Sequence, residues 1–279
     1  MATVKALLPC SACLAGKMKK TRKTPTTGYT EVTNLAVSWT PGTDKRISTP
    51  NELVSLDWGI SNKKNQANVK NVFAIYLDNH TGLVFFYPAE SKGQAGPSLQ
   101  AFIQRYGIPK TIIHDNAQEF IGGEFAQICT DKSIQQSPTP PYDHNKNPTE
   151  KYIDILTSMA RCLLFISGLN PTTYWVHALQ HAVTIQIRSA LTGRCTPYEL
   201  TFGKRPNVSN LRIFECEALA YVEKGKRTKL DNKVERAIYL GTSPDHSDDT
   251  VKLLSLKTMQ IIYRRNVYYN ERSFPARKT

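Results

Sequence analysis

The chain has 279 residues, 40% of them hydrophobic, enough to bury one sizeable core or two smaller ones. No apolar run approaches the ~18–20 residues of a membrane span, the opening MATVKALLPCSACLAGKMKK lacks a small-residue cleavage site, and six cysteines are too few and too scattered for a disulfide scaffold, so an intracellular setting without a membrane partner is expected. The net charge of +13 is unevenly spread: residues 1–49 carry eight basic and two acidic side chains, 50–200 twelve of each, and 201–279 sixteen and nine, a neutral middle between basic ends suited to a polyanion, with a solvated basic surface as the plain alternative.

Residues 1–49 hold Cys10 and Cys13, the basic run KMKKTRK (17–23) and a Thr/Pro-rich stretch, and read as the end of a small module followed by an extended linker. LVSLDW (53–58), NVFAIYLD (71–78) and GLVFFYP (82–88) predict three strands in a meander. Leu99, Phe102, Ile103 and Tyr106 have helical spacing, with Pro97 in the first turn and Gly107 beyond the end. KTIIHD (110–115) predicts a short buried strand, 121–132 a helix, 133–136 one more strand, and SPTPPYDHNKNP (137–148) a loop. Helices follow over 149–167 and 171–190, so residues 50–200 are expected to form an α/β layered core. Past it, ALAYVEK (218–224), RAIYLGT (236–242), VKLLSLK (251–257) and QIIYRRNVYY (260–269) predict a small separate β-barrel or sandwich within 201–279.

Three carboxylates stand out. Asp57 ends the first predicted strand, Asp115 ends the fourth, and Glu150 opens a long helix. An ionised carboxylate at the edge of an apolar sheet is costly unless it is paired or holds a metal. Together the three make an all-oxygen donor set suited to Mg²⁺ or Mn²⁺, and two such ions support phosphoryl transfer. The competing reading makes Asp57 and Asp115 strand-end turn residues and Glu150 a complement to its helix dipole. Asp78, Asp143 and Asp154 compete for the same roles, Asp154 lying one turn beyond Glu150.

TIIHDNAQEF (111–120) resembles the "DNGxEF" segment of retroelement integrases, and DHNKNPTEKY (143–152) is similar to their "NGxxER" segment. With LVSLDWG (53–59) they resemble the D,D,E triad of the integrase core, whose fold is ribonuclease H-like: a mixed five-stranded sheet flanked by helices. CSACLAGK (10–17), TPYELTFGKRPNVSNLRIFECEALAYV (196–222) and KRTKLDNKVERAIYLGTSPD (226–245) are similar to the flanks of copia-type retrotransposon integrases, whose core is followed by a small SH3-like domain. The resemblance, running from about Cys10 to Tyr269, implies that Asp57, Asp115 and Glu150 are catalytic metal ligands, that Asn116 and Asn145 lie beside them, and that Lys151 contacts phosphate. The sequence departs from the family in places: Ala117 stands where the family has Gly, which matters if that position needs a left-handed backbone, Pro148 stands where the family is often more flexible, and the spacing there is about one residue short.

Cys10-x-x-Cys13 has the spacing of half a tetrahedral Zn²⁺ site, but the family's two upstream histidines have no counterpart before His80, so the site is incomplete. Cys129, Cys162, Cys195 and Cys216 are spaced like core thiols, and His177 with His181 at i, i+4 reads as a packed helix face. His114 is expected to be a sheet residue at the site's edge. Lys19 and Lys20 in the first basic run, and Lys226, Arg227 and Lys229 in KGKRTK (224–229), are candidate DNA-phosphate contacts, with Arg264 and Arg265 extending the second cluster. The expected function is metal-dependent strand transfer, joining element ends to target DNA in the nucleus as a homo-oligomer. With no reverse transcriptase or protease signature, the chain reads as one part of a larger polyprotein or split gene. A catalytically decayed or domesticated nucleic-acid-binding module is the alternative, and a nuclease for RNA–DNA hybrids a weaker third.

Overall fold

The structure, a computed structural model, describes residues 48–61, 71–139, 148–189, 195–243, 246–247 and 249–277. Cys10, Cys13, Lys19, Lys20, Asp143 and Asn145 lie outside them.

Two five-stranded sheets organise the chain. The first has the order β3-β2-β1-β4-β5, built from β1 (Leu53–Ile60), β2 (Val72–Asp78), β3 (Val84–Ala89), β4 (Thr111–His114) and β5 (Gln135–Pro138). The first three strands form an antiparallel meander, and β4 and β5 add parallel to β1. Alternation along β2 shows why this sheet is buried on both faces. Val72, Ala74 and Tyr76 join one apolar cluster with α1 (Ala95–Tyr106) and α3 (Gly123–Asp131), while Phe73, Ile75 and Leu77 join another with α4 (Thr149–Ser167) and α5 (Pro171–Arg188). Gly59 pairs with Phe73, whose ring fills the space a Cβ would need.

The helix expected over 121–132 is α3, and a separate short helix precedes it: α2 (Gln118–Ile121) stops at Gly122, and Gly123, at φ 65°, restarts the chain. α4 ends at Gly168 in the left-handed region, and Asn170 then caps α5 by accepting the Thr172 N–H at 2.9 Å ahead of Pro171. A capping box between Thr196 and Glu199, with Pro197 at the first position, starts α6 (Pro197–Phe202), a short helix beyond those expected.

The second sheet is wholly antiparallel, in the order β10-β6-β7-β8-β9, from β6 (Glu217–Tyr221), β7 (Val234–Thr242), β8 (Val251–Ser255), β9 (Ile261–Arg264) and β10 (Val267–Asn270). The run QIIYRRNVYY, expected as one strand, is two strands on opposite edges, joined only by Arg265 and Asn266. Strands lie about 4.8 Å apart, so a flat sheet would separate its edges by roughly 19 Å, more than so short a turn can span. The sheet must therefore curl until its edges meet.

The β-unit is also less separate than its sequence suggests. Phe214, Ile238, Leu240 and Leu254 enter the same buried cluster as Trp175, Leu179 and Val183 of α5, so helix and second sheet share one core. Cys129 and Cys216 are buried as expected, but Cys162 is only half-buried and Cys195 is exposed, ahead of the Thr196 cap. Among the described residues no helix is long and apolar enough to cross a membrane.

Candidate active site

Strand pairing brings two of the carboxylates together. In the β1–β4 register Leu53 faces Thr111 and Ser55 faces Ile113; two residues on, just past the end of β4, Asp57 and Asp115 occupy corresponding places on adjacent parallel strands. Asp57 alternates with Val54, Leu56 and Trp58, which point into the α1/α3 cluster, and pairs with Ile75, which points into the α4/α5 cluster. Its side chain is therefore on the α4 face, and α4 carries Glu150 in its first turn, packed across β1 and β2.

The electrostatics agree. Burial first, and then the negative charges of Asp115 and Glu150, push the Asp57 carboxyl up to about 6, against the Trp58 N–H donating to its Oδ1 at 2.7 Å and the Lys92 ammonium. Asp115 and Glu150 are exposed at the mouth while Asp57 is partly covered. Among the described residues no three His, Cys, Asp or Glu side chains converge tightly enough to ligate one ion as they stand. The donor types nonetheless suit a hard divalent cation: three carboxylates near one another, Asp57 made costly to ionise first by its burial and then by the charges of the other two. Lys92 follows β3 in a 3-10 turn, 3.5 Å from Glu119, and carries no sequence motif; only folding shows it as a cation near the site.

Neighbouring groups hold this mouth in shape. The Asp115 Oδ1 accepts the Ala117 N–H at 3.3 Å. Ala117 has φ −68° and ψ 143°, an ordinary extended backbone, so this position needs no glycine. Pro148, at φ −66° and ψ −13°, already has the dihedrals of helix entry and caps α4 without strain. His114 is buried between Phe120 and Phe125; its Nδ1–H donates to the Asp115 carbonyl at 2.6 Å and its Nε2 lies 3.0 Å from the Gln136 amide. It is a sheet residue that ties the end of β4 to β5. Asn116 reaches the Thr139 carbonyl at 3.5 Å, and Lys151 is half-buried one residue after Glu150.

The competing acids are elsewhere or less close. Asp78 is buried at the β2–β3 turn, accepting the His80 N–H and the Thr81 hydroxyl at 3.0 and 2.7 Å. Asp154 is exposed a turn beyond Glu150 and is not among the charges that move Asp57. His177 and His181 are buried against the second sheet, His181 beside the rings of Phe214 and Tyr239, which is the packed face expected of them.

In the second sheet Lys226 ends an exposed 3-10 turn and Lys229 is exposed beyond it. Arg227 is turned back on its own strand, donating from Nε to the Val222 carbonyl at 3.1 Å with its guanidinium over Tyr221. Lys226 belongs instead to a pocket of 370 Å³ that also contains Tyr263, Arg264 and Arg265, a grouping the linear sequence does not reveal.

Comparison with known proteins gives this geometry a context. The chain is 26% identical over 217 residues to the retrovirus-related Pol polyprotein from transposon RE1 of Arabidopsis thaliana, covering 73% of the chain and 14% of that protein. It is 25% identical over 270 residues to the one from transposon TNT 1-94 of Nicotiana tabacum, covering 92% and 19%. The chain thus spans less than a fifth of the length of these relatives. Residues 216–279 match the family model of the retroviral polymerase SH3-like domain. In fold the chain is similar to a chain of the simian T-cell lymphotropic virus intasome in complex with PP2A regulatory subunit B56 gamma, at TM-score 0.50 and 17% identity, covering 81% of this chain and 80% of that one. In sequence the chain is thus similar to retrovirus-related Pol polyproteins of transposons, in fold to that intasome chain with its mixed sheet and flanking helices, and its second sheet is SH3-like.

Proposed function

Since its homologues are retrotransposon Pol polyproteins, we propose that this chain is the integrase segment of such a polyprotein, a polynucleotidyl transferase that joins element DNA to target DNA. In this reading residues 50–200 are the catalytic core, 201–279 a connector and SH3-like unit, and 1–49 a remnant zinc module with a basic linker. The observation that carries it is the strand pairing that sets Asp57 and Asp115 side by side, with Glu150 near enough for its charge to bear on the half-buried Asp57, a repulsion that a divalent cation would relieve.

Asp57, Asp115 and Glu150 would hold the metal. Bound there, Mg²⁺ or Mn²⁺ supplies Lewis-acid activation of an attacking 3′-hydroxyl and stabilises the leaving oxygen. The protein's own part is positional: β1 and the end of β4 set two carboxylates side by side, and α4 brings the third to the same face. His114 holds the Asp115 backbone, so the second carboxylate is anchored to β5 as well. Lys151, and the exposed Lys226 and Lys229, contribute phosphate contacts that position DNA without reading its sequence. Joining two element ends calls for two such sites and hence a homo-oligomer, and chromosomal DNA as target makes the nucleus its place of action.

A second reading, a silent nucleic-acid-binding module of the same fold, draws on the spread of the three carboxylates, which as they stand among the described residues do not gather tightly enough to ligate one ion. A strand-transfer assay with Mg²⁺ or Mn²⁺, run beside Asp115→Asn, separates the two. Joining that disappears in the variant supports the integrase; equal DNA retention by both proteins without joining supports the silent module.

A further inference from the structure

The pocket in the second sheet lies where its edges approach, lined by the end of β6, the 3-10 turn after it, the segment before β8 and the β9–β10 turn. Its walls combine two chemistries. His246 stacks on Tyr263 with ring centroids 4.5 Å apart and 19° between planes, and Ser243 Oγ holds the His246 Nδ1 at 2.7 Å, so the aromatic pair is fixed in advance. Tyr221 supplies another ring. Lys226 and Arg265 supply positive charge beside them, and Glu223 is the only carboxylate of the lining among the described residues.

Arg265 makes a loose pair with Asp249, 3.8 Å apart with both side chains more than 60% exposed. An exposed pair of this kind contributes little and is readily exchanged for a phosphate, which accepts charge-assisted hydrogen bonds from a guanidinium. Arg264, by contrast, is directed toward Glu235 at 3.8 Å and is mostly covered, which makes it a wall. A preset aromatic platform beside exchangeable cations suits a planar base joined to a phosphate. It suits a duplex poorly, because paired bases have no free π-face to offer.

We infer that this pocket seats an unpaired nucleotide of a single strand, its base against the Tyr263–His246 pair and its phosphate between Lys226 and Arg265. The inference rests on the nucleic-acid-binding reading above and adds to it a preference for unpaired over paired DNA. Tyr263 is 42% exposed, so a base can reach it without rearrangement of the sheet.

The test is fluorescence anisotropy with the full chain, using a labelled single strand of about 12 nucleotides and its blunt duplex at matched salt. Tyr263→Ala should weaken single-strand binding about tenfold and leave duplex binding unchanged, while Tyr263→Phe, which keeps the ring, should bind as the wild type does. Arg265→Ala should weaken the single strand and flatten its salt dependence. Competition by the ribo- or the deoxy-strand identifies the source of the nucleotide and supports the seat in either case. Single-strand binding unchanged in both Tyr263→Ala and Arg265→Ala, with duplex still bound, overturns the seat and leaves the broader reading intact. A wild-type chain that binds neither strand nor duplex overturns both.

Discussion

Asp57 and Asp115 stand at equivalent places on adjacent parallel strands, 58 positions apart in sequence, the same offset that pairs Ser55 with Ile113. Parallel neighbours lie about 4.8 Å apart, so the relationship puts two like charges side by side at one end of the sheet. Glu150 adds a third from α4. Charge so arranged opposes folding unless a proton or a cation offsets it.

That opposition is measurable at Asp57. Its carboxyl, pushed up to about 6 from an ordinary 3.8, keeps a proton in the folded protein that the unfolded chain has released, so stability falls as pH rises from about 4 through about 6. At pH 7 Asp57→Asn should stabilise the metal-free protein by about 1–2 kcal/mol, allowing for its partial exposure. The same variant should lose the rise in Tm that Mn²⁺ gives the wild type. Thermal unfolding with and without Mn²⁺ checks both; an unchanged Mn²⁺ response in the variant would remove Asp57 from the donor set.

Ala117→Gly should leave strand transfer unchanged and lower stability by about 0.5 kcal/mol. The extended backbone at Ala117 gives glycine no advantage, while glycine adds unfolded-state freedom. Joining rates and urea midpoints measured side by side test this, and a large gain in joining would show that the Asp115 loop takes another conformation when it acts.

Glu215 offers a stabilising substitution. Burial pushes its carboxyl up to about 9, and the Leu169 N–H, already donating to Ser167 Oγ at 3.2 Å, relieves it little. The folded state therefore holds this proton while the unfolded chain releases it near 4.5, and stability declines as pH rises across that window. Glu215→Gln should flatten the decline. Glu215→Gly should also remove the strain of φ 66° and add about 1–3 kcal/mol at pH 8. His177 and His181, pushed down to about 4 by burial, act at the acid end: the unfolded chain takes up their protons first, so stability is lost as pH falls from about 6.5 toward 4. Urea denaturation from pH 4 to 9 resolves the two limbs, and a basic limb that survives in Glu215→Gln assigns it to another group.

Gly168→Ala should loosen the C-terminal segment. A Cβ there would lie 2.8 Å from the Arg277 Cα and 3.1 Å from the Ala276 carbonyl oxygen, on a backbone at φ 79° that alanine resists. Backbone cannot yield as a flexible side chain does, so a loss of about 2–3 kcal/mol is expected. Limited trypsin digestion should cut after Arg277 sooner in the variant, and an unaltered cleavage rate would mean that the tail does not depend on this contact.

Much of this architecture is written locally. The alternation of Val72 to Leu77, the Asn170-Pro171 start of α5 and the Gly168 stop of α4 depend on near neighbours, which is why strands and helices are legible in the sequence alone. The motifs around Asp57, Asp115 and Glu150 are legible for the same reason: each is a short run of residues. What joins them is not. The parallel pairing of β1 with β4 decides that Asp57 and Asp115 are neighbours, and the turn after β3 decides that Lys92 is near them. Curling of the second sheet sends the two halves of QIIYRRNVYY to opposite edges and assembles Lys226, His246, Tyr263 and Arg265 around one pocket. Packing of α5 against that sheet buries Glu215, whose sequence neighbours give no sign of it. Periodicity and capping are properties of a few adjacent residues, whereas pairing, burial and the charge a group feels come from segments far along the chain, and these the tertiary structure alone decides.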